Sequence, residues 1–374
     1  MSDSPSILIL NERDPAHPKA GGAEVHVEQI FSRLAARGAR VVQYSAGFTG
    51  SAATESIDGI EIERRGPLPA YYARAPGRVR RAGLRGEFDV VVECLNKVPY
   101  YSPLYSRLPV LALCHHLFGE VAFEQVAWPI ATAVYLAELG IPRAYRDCYF
   151  MAISESTRDD LVARGLPAKQ IAVSHPGIDP AKRIADPTGS RPNRITYLGR
   201  LEAYKNVDVM LRAAAALTPR FTDLEVVVIG RGPERERLER LADTLGLSDR
   251  TRFTGFIDDA ERDALLAETR ACVFPSPKEG WGLTVIEANA LATPVVALDA
   301  PGLRDSVRHE ETGLLVSSPD PSAFAEALTR LLEENAATKR MRSRALAWSK
   351  QFRWDRAADD MQQAIERSIS GVPA

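Results

Sequence analysis

Short runs of Val, Ile and Leu alternate with longer amphipathic stretches along almost the whole of this 374-residue chain. Continuous apolar runs separated by amphipathic helices are typical of βα units, whose parallel strands are buried on both faces. The sequence therefore predicts an α/β protein with doubly wound sheets. The expected strands are residues 7–10, 40–44, 60–63, 89–94, 110–114 and 148–154 in the first half, and 195–199, 224–230, 251–256, 271–275 and 294–298 in the second.

The segment 175–193 marks a domain boundary, because it holds four prolines and two glycines and few apolar side chains. A chain of this length is expected to form two domains. We predict an N-terminal domain of residues 1–178 and a C-terminal domain of residues 179–350. Residues 351–374 should form a terminal helix that crosses back to the first domain.

Charge and cysteine content exclude several classes of protein. Lys and Arg number 47 against 49 Asp and Glu, so no global basic field exists to hold nucleic acid. The four cysteines are far apart and form no CxxC pair, which argues against a metal knuckle and a disulfide framework. No apolar run has the length of a signal peptide or a membrane span, so a cytoplasmic protein is expected.

The most informative segment is PSPKEGWGLTVIEANALATPVVAL, residues 275–298. It predicts a strand, a glycine-containing loop and a helix that begins near Leu283. The backbone N–H groups of Gly282, Leu283 and Thr284 would begin that helix, where the macrodipole attracts an anion such as a diphosphate. Gly280 and Gly282 let the backbone come close to such a ligand.

Two glutamates of this segment, Glu279 in the loop and Glu287 in the helix, have the spacing EX7E. Carboxylates are good bidentate acceptors for the hydroxyl groups of a sugar. The alternative is that both are ordinary exposed residues, as most glutamates are.

Arg200 and Lys205, in LGRLEAYKN, follow the first strand of the second domain. Open α/β sheets bind ligands outside the carboxyl ends of their strands, so both cations should lie at the same edge as the Glu279 loop. They could neutralise a diphosphate together, although either alone could be a solvated surface cation.

The first domain offers weaker signals. Gly21 and Gly22, in PKAGGAEVH, precede the first helix and would let its amides approach a phosphate. The dinucleotide-binding motif GxGxxG does not follow the first strand, which argues against a dehydrogenase. His115 and His116 follow a strand and could donate to a sugar hydroxyl or transfer a proton, or else cap the strand and face solvent. No HExxH or DxD spacing occurs, so we expect a site without a metal or other cofactor.

The one charge cluster is basic and includes two tyrosines. Such a cluster is usually a solvated face, and the alternative is contact with a membrane surface or an anionic acceptor. Its members are Arg64, Arg65, Arg74, Arg78, Arg80, Arg81 and Arg85, with Tyr71 and Tyr72.

Taken together, the motifs resemble the retaining glycosyltransferases of family 4, which have the GT-B fold of two Rossmann-like domains facing a cleft. The resemblance covers nearly the whole chain in order: AGGAE, PVLALCHHLFGE, SHPGID, GRLEAYKN, VVVIGRGPERERLERLA, FTGFI and EGWGLTVIE. Trp281, Ala292 and His116 depart from the family pattern, and the last of these leaves the acceptor open.

The resemblance implies a role for each matched residue. Arg200 and Lys205 would bind the donor diphosphate, Glu287 the donor ribose, and Glu279 with the amides of residues 282–284 the donor sugar and its phosphates. His115 would lie near the reacting sugar. The resemblance also implies that Gly22, with Gly21, closes over the phosphates, that Gly199 accompanies Arg200, and that backbone near Phe256 and Ile257 holds the base. Tyr71, Tyr72, Arg74 and His116 are the candidates for the acceptor side.

The expected protein is a retaining hexosyltransferase that moves a sugar from a nucleoside-diphosphate sugar to a hydroxyl group of a glycan, glycolipid or small molecule. A lipid-linked or anionic acceptor at the inner membrane face is the preferred hypothesis. A GT-B sugar-nucleotide epimerase and a non-catalytic nucleotide-binding protein are the alternatives. The residues leave open the base, the sugar, the acceptor and the oligomeric state.

Overall fold

The computed structural model describes residues 4–96, 98–119, 123, 128–183 and 186–371. These form two compact units, each built on its own sheet. Unit 1 is Met1–Gly177 together with Arg353–Ala374, and unit 2 is Ile178–Phe352.

The sheet of unit 1 has the strand order β3-β4-β2-β1-β5-β6-β7-β8 and is parallel except where β3 pairs with β4. Its strands are β1 (Ser6–Leu10), β2 (Arg40–Ser45), β3 (Thr54–Ile57), β4 (Ile60–Arg64), β5 (Val90–Leu95), β6 (Val110–Cys114), β7 (Tyr149–Ala152) and β8 (Ile171–Val173). Its helices before the boundary are α1 (Gly22–Ala36), α2 (Leu68–Arg85), α3 (Trp128–Leu139), α4 (Ile141–Ala144) and α5 (Glu155–Ala163).

The sheet of unit 2 is parallel throughout, in the order β11-β10-β9-β12-β13-β14. Its strands are β9 (Arg194–Leu198), β10 (Glu225–Ile229), β11 (Thr251–Gly255), β12 (Ala271–Phe274), β13 (Val295–Leu298) and β14 (Gly313–Val316). Its helices are α6 (Val207–Leu217), α7 (Arg235–Thr244), α8 (Asp259–Ala267), α9 (Leu283–Ala290), α10 (Leu303–Ser306), α11 (Pro321–Leu332) and α12 (Ala336–Ser349).

The last helix, α13 (Trp354–Ser370), belongs to unit 1 and packs on α1. The apolar face of α1 that faces the core carries Val27, Ile30 and Phe31, all fully buried. On its polar side Arg33 reaches Asp355 at 3.1 Å. Burial of the apolar face accounts for most of the stability of a helix of this length, because helix propensity alone contributes little.

The predicted fold class is confirmed, and each predicted strand corresponds to an observed one. Three short strands were not predicted. β3, with the sequence TESI, is a largely exposed edge strand; β8 has three residues and β14 four, too few for a recognisable pattern. No helix in the described part of the chain is long and apolar enough to cross a bilayer.

Candidate functional site

In unit 2 the residues predicted to bind the donor follow strands at one edge of the sheet. β9 leads to Gly199 and Arg200, β11 leads to Phe256 and Ile257, and β12 leads to the loop that ends in α9. Because these strands are parallel, their carboxyl ends lie at the same edge. The structure therefore brings the predicted donor residues of unit 2 to one rim.

The N-terminus of α9 is shaped by a glycine that no other residue could replace without strain. Gly282 has a φ of 92°, in the left-handed region, and a Cβ at this position would lie 2.8 Å from Oγ of Ser306. Leu283 and Thr284 begin the helix, where the amides have no carbonyl one turn earlier to bond. These amides can donate hydrogen bonds to an anion, and the positive end of the helix dipole attracts it.

Lys205 and Glu279 form an ion pair at this rim. Lys205 ends a short 3₁₀ turn after β9, and its Nζ bonds Oε1 of Glu279. The two side chains are only 12% and 21% exposed. Nζ also lies 5.0 Å from the ring centroid of Tyr204, whose hydroxyl accepts a 3.3 Å hydrogen bond from Arg200. The two predicted cations thus share one aromatic neighbour, and the first glutamate of EX7E is the counter-ion of one of them.

Glu287 lies on α9 and faces a cation that the sequence did not indicate. Its Oε1 is 3.5 Å from Nη1 of Arg262 on α8, which also pairs with Asp259 and Asp263. Burial raises the pKa of Glu287 to about 7. The charge of Arg262 opposes this rise, and Asp259, Asp263 and Asp179 add to it. The carboxyl group is therefore half ionised near neutral pH.

Phe256 presents an aromatic surface at the end of β11. Its side chain is 73% exposed, and the Arg231 guanidinium lies 5.5 Å from its ring centroid. The next residue, Ile257, is half-buried. An exposed ring with a cation beside it can stack against a planar group such as a nucleotide base.

The glycine loop of unit 1 is partly engaged by its own helix. Gly21 caps α1 and donates its amide to Oε2 of Glu24 at 2.7 Å. Gly22 is the first helical residue, and a Cβ there would have no atom within 4 Å. A phosphate at this loop would therefore be bound by Gly22 and the amides that follow it.

His115 follows β6 as predicted, but its side chain does not project into open space. It is 2% exposed, and its Nε2 lies 3.1 Å from Nδ1 of His26 on α1. Burial, and to a smaller extent the charge of the neighbouring His116, lower the pKa of His115 to about 3. A neutral imidazole held by a second imidazole can bond a hydroxyl group, and it cannot serve as a cation at neutral pH.

The prediction that Tyr71 faces an acceptor is wrong. Tyr71 is fully buried, and its hydroxyl donates to the carbonyl of Tyr44 and contacts that of Tyr100 at 2.8 Å. Its apolar ring packs in the core of unit 1 because it lies on the inner face of α2. Tyr72 is half-buried, with its hydroxyl 3.1 Å from Oε2 of Glu12.

The other two acceptor-side candidates of unit 1 reach the surface. Arg74 is exposed on α2, and His116 is half-buried against Phe118 with a ring distance of 4.8 Å. Neither contacts the other in the described hydrogen bonds and ion pairs. The structure therefore places these two on different elements of unit 1.

The basic cluster is not one solvated face. Arg64 is buried against Asp14 at 2.7 Å, and Arg78 pairs with Glu63 and Glu87 at 3.0 and 2.9 Å. These two arginines hold the fold together, because a buried cation must be paired. The exposed members are Arg65, Arg74, Arg80, Arg81 and Arg85.

Three residues of these sites were not found from the sequence. His26 could have been, since it shares the buried face of α1 with Val27 and Ile30 at helical spacing. Arg231 and Arg262 carried no signal, because each is one of many charged residues at a surface helix or loop. In the described part of the chain, no group of three or more His, Cys, Asp or Glu side chains could hold a metal ion.

Two family models match the chain. The model described as Glycosyltransferase Family 4 matches residues 20–182, and the model described as Glycosyl transferases group 1 matches residues 180–348. Among curated relatives, the D-inositol 3-phosphate glycosyltransferase of Salinispora tropica is 34% identical over 95% of this chain and 83% of the relative. That of Streptomyces bingchenggensis is 29% identical over 96% and 87%.

Solved structures of the same architecture were also found. Sucrose-phosphate synthase from Thermosynechococcus elongatus aligns with a TM-score of 0.80 and 22% identity, over 98% of this chain and 100% of that one. The Anabaena protein HepE, in complex with UDP and glucose, aligns with a TM-score of 0.75 and 18% identity, over 97% and 99%. At these identities the similarity is one of fold.

Proposed function

The chain belongs to glycosyltransferase family 4 and has the GT-B fold, and on that premise we propose that it is a retaining hexosyltransferase that uses a nucleoside-diphosphate sugar without a metal ion. The observation that carries the proposal is the ion pair between Lys205, in the 3₁₀ turn after β9, and Glu279, in the loop leading to α9. The pair supplies a cation for the phosphates and a carboxylate for the sugar hydroxyls, beside the free amides at the N-terminus of α9.

The proposed donor site divides its ligand among the residues of one rim. Arg200, Lys205 and the amides of Leu283 and Thr284 bind the diphosphate, and Glu279 binds the sugar. Fixed cations and a helix dipole stabilise the charge that gathers on the leaving diphosphate without rearranging. The remaining contacts in unit 2 are Glu287 with the ribose, Gly199 and Gly280 with the phosphates and the sugar, and Phe256 and Ile257 with the base. Within unit 1, Gly21, Gly22 and His115 stay the candidates for binding the donor.

In the proposed reaction the acceptor hydroxyl attacks the anomeric carbon on the face from which the diphosphate leaves. The bond between the anomeric carbon and the phosphate oxygen breaks, and its electron pair stays on the diphosphate. A phosphate oxygen then takes the proton of the acceptor hydroxyl, so the charges balance without a covalent enzyme intermediate. Attack and departure on one face give retention.

Donor binding should strengthen as the pH rises through about 7. The pKa of Glu287 is raised by burial, so its carboxyl is mostly neutral at pH 6 and mostly ionised at pH 8. Only the ionised group accepts two hydrogen bonds from a ribose diol. We expect the donor Kd to fall about tenfold between these pH values, the change in the ionised fraction of a group with that pKa.

The measurement is a titration of the donor across this pH range, with Glu287→Gln as the comparison. The amide does not titrate, so the Kd of the variant should be higher than that of the wild type at pH 8 and independent of pH. An equal pH dependence in both proteins would contradict the assignment of Glu287.

We propose that the acceptor carries a phosphate or another anionic group. Relatives named D-inositol 3-phosphate glycosyltransferases support a phosphorylated acceptor, and a lipid-linked phosphate at a membrane surface has the same chemistry. Within unit 1, Tyr72, Arg74 and His116 are the acceptor-side candidates that reach the surface.

A groove between α2 and the strands β2 and β4 supports an anionic ligand. Its cavity of about 680 Å³ is lined by six arginines and two glutamates, and both glutamates are paired with Arg78. Burial raises the pKa of Tyr44 in its wall, and the charges of Arg65, Arg74 and Arg81 oppose the rise, so all three act on one hydroxyl. In the described part of the chain none of these three has a carboxylate at ion-pair distance.

Neighbouring arginines on α2 test the groove. Arg81 lines it, whereas Arg80 lies 5.7 Å from the ring centroid of Tyr105 and does not. A lost cation near an anionic surface costs about 1 kcal/mol. We therefore expect Arg81→Gln to weaken binding about fivefold and the Arg74→Gln, Arg81→Gln double variant about thirtyfold at low salt, with Arg80→Gln within about twofold of the wild type.

Binding is measured with inositol phosphate and with phosphatidylglycerol vesicles in parallel. A loss confined to inositol phosphate would assign a water-soluble acceptor, and a loss confined to vesicles a lipid-linked one. Equal losses in Arg80→Gln and Arg81→Gln, or no binding of either probe, would refute the groove as the anion site.

The transfer reaction is tested by release of nucleoside diphosphate. UDP-, GDP- and ADP-sugars are incubated with and without polyol phosphate and glycolipid acceptors, after a thermal-shift screen selects the nucleotide that raises Tm. The expected result is acceptor-dependent release with a glycoside product of retained configuration. An isomerised donor would indicate an epimerase, and a Tm shift without donor consumption in any combination would indicate a binding protein.

A further inference from the structure

His26 and His115 form a buried pair at the junction of three elements of unit 1. His26 lies on α1 and is 1% exposed; the rings of the two histidines are almost perpendicular, with an interplanar angle of 89°. Trp354, the first residue of α13, lies 6.0 Å from His26 between ring centroids. The position of His26 is thus fixed by its own helix, by the end of β6 and by α13.

The pair leaves one nitrogen of each ring unbonded. Nε2 of His26 and Nδ1 of His115 are buried, and neither has a hydrogen-bond partner among the described residues. Burial lowers the pKa of both histidines, so each ring carries one proton at neutral pH. One ring must donate and the other accept, and this bond decides which nitrogen of His115 carries the proton.

A buried polar atom without a partner is destabilising, because it has lost the hydrogen bonds to water that it makes in the unfolded chain. A ligand hydroxyl can remove this cost at Nδ1 of His115, because a hydroxyl both donates and accepts and therefore fits either tautomer. The Nε2 atom cannot serve in this way while it is bonded to His26. The ring consequently has one defined atom for a ligand.

We propose that His26 is a positioning residue for sugar transfer: it holds His115 through Nε2, so that Nδ1 of His115 bonds a hydroxyl of the bound sugar. The inference rests on the proposed function, since it needs a sugar at His115. The competing explanation is that the pair only packs α1 against the end of β6. In that case the loss of His26 would lower stability and would not act through His115.

A double-mutant cycle separates the two explanations. Loss of orientation at a reacting group costs up to about a hundredfold in rate, so His26→Leu should lower kcat about tenfold to a hundredfold with the donor KM within about twofold. His26→Asn, which can still donate and accept near the Nδ1 position, should restore most of kcat. In a His115→Leu background, His26→Leu should cause no further loss.

Trp354→Phe is the matched control, because it disturbs the packing around His26 and leaves the hydrogen bond intact. It should lower Tm and keep kcat near the wild-type value. Additive losses in the double variant, wild-type kcat in His26→Leu, or an equal loss of kcat in Trp354→Phe would overturn the proposal.

Nitrogen-15 spectra of the histidine rings give a readout that needs no activity. In the wild type His115 should show one protonated and one unprotonated nitrogen, and in His26→Leu both signals should move toward the average of the two tautomers. If the spectrum changes in His26→Leu but the protein shows no transferase activity, the transfer reaction is refuted, and the conclusion that His26 sets the tautomer of His115 still stands. An unchanged His115 spectrum in His26→Leu would refute the coupling itself.

Discussion

Replacement of Lys205 by alanine is expected to lower turnover by about two to three orders of magnitude, the scale of a lost group that stabilises developing charge. The Lys205 side chain is 12% exposed, and its Nζ lies against the Glu279 carboxylate. Without it, an unpaired carboxylate would remain where the diphosphate gathers negative charge. Arg200→Ala should have an effect of the same scale, because Arg200 acts on the same ligand.

A double-mutant cycle of Lys205→Ala and Glu279→Gln shows whether Lys205 acts on the diphosphate or only neutralises Glu279. If Lys205 only neutralised Glu279, the Lys205→Ala, Glu279→Gln double variant would recover the turnover of Glu279→Gln alone. If Lys205 acts on the diphosphate, the double variant should stay as slow as Lys205→Ala.

Arg220→Ala serves as a control for the loss of a paired cation in unit 2. Arg220 pairs with Glu333 at the exposed surface, and such pairs contribute little to stability. Its turnover should equal that of the wild type. Turnover near the wild-type value in both Lys205→Ala and Arg200→Ala would refute the assignment of the phosphate site.

The donor rim could be predicted from the sequence because its parts follow from chain order. A strand, a glycine loop and a helix in series place the amides of Leu283 and Thr284 at the carboxyl edge of a parallel sheet, and Arg200 follows a strand at the same edge. Local pattern and topology are sufficient for this inference. The finding that Lys205 pairs with Glu279, 74 residues away, needed the structure.

The features that the sequence did not reveal have a common physical cause: burial of a polar side chain depends on partners distant in sequence. Tyr71 lies in an arginine-rich segment, yet its hydroxyl is bonded to Tyr44 and Tyr100 inside the core. His115 stands at a strand end, yet a histidine of α1 bonds it. The raised pKa of Glu287 likewise depends on burial that its position in EX7E does not reveal.

A second large effect is expected from Gly282→Ala, which should lower kcat/KM about a hundredfold although no functional side chain is lost. An L-residue at a left-handed position costs about 1–2 kcal/mol, and the new Cβ would lie 2.8 Å from Oγ of Ser306 and 3.3 Å from Cγ2 of Val285. Ser306 is fully buried and its hydroxyl bonds the carbonyl of Leu303, so it cannot move away freely. The N-terminus of α9 must then shift, and its amides shift with it. A displacement of about 1 Å at a positioning group can cost a hundredfold in rate.

Gly246→Ala separates the displacement of the amides from backbone strain alone. Gly246 also has a positive φ, of 70°, and a Cβ there would have no atom within 4 Å. The Gly246→Ala variant should lose about 1–2 kcal/mol of stability through strain and keep its kcat/KM unchanged.

The Gly282→Ala, Ser306→Ala double variant should regain part of the Tm that Gly282→Ala loses. Removal of the Ser306 hydroxyl relieves the close contact, whereas the backbone strain at residue 282 remains. If kcat/KM of Gly282→Ala matched that of Gly246→Ala, the amides that begin α9 would not be bonding the donor, and the phosphate site would have to be sought elsewhere on unit 2.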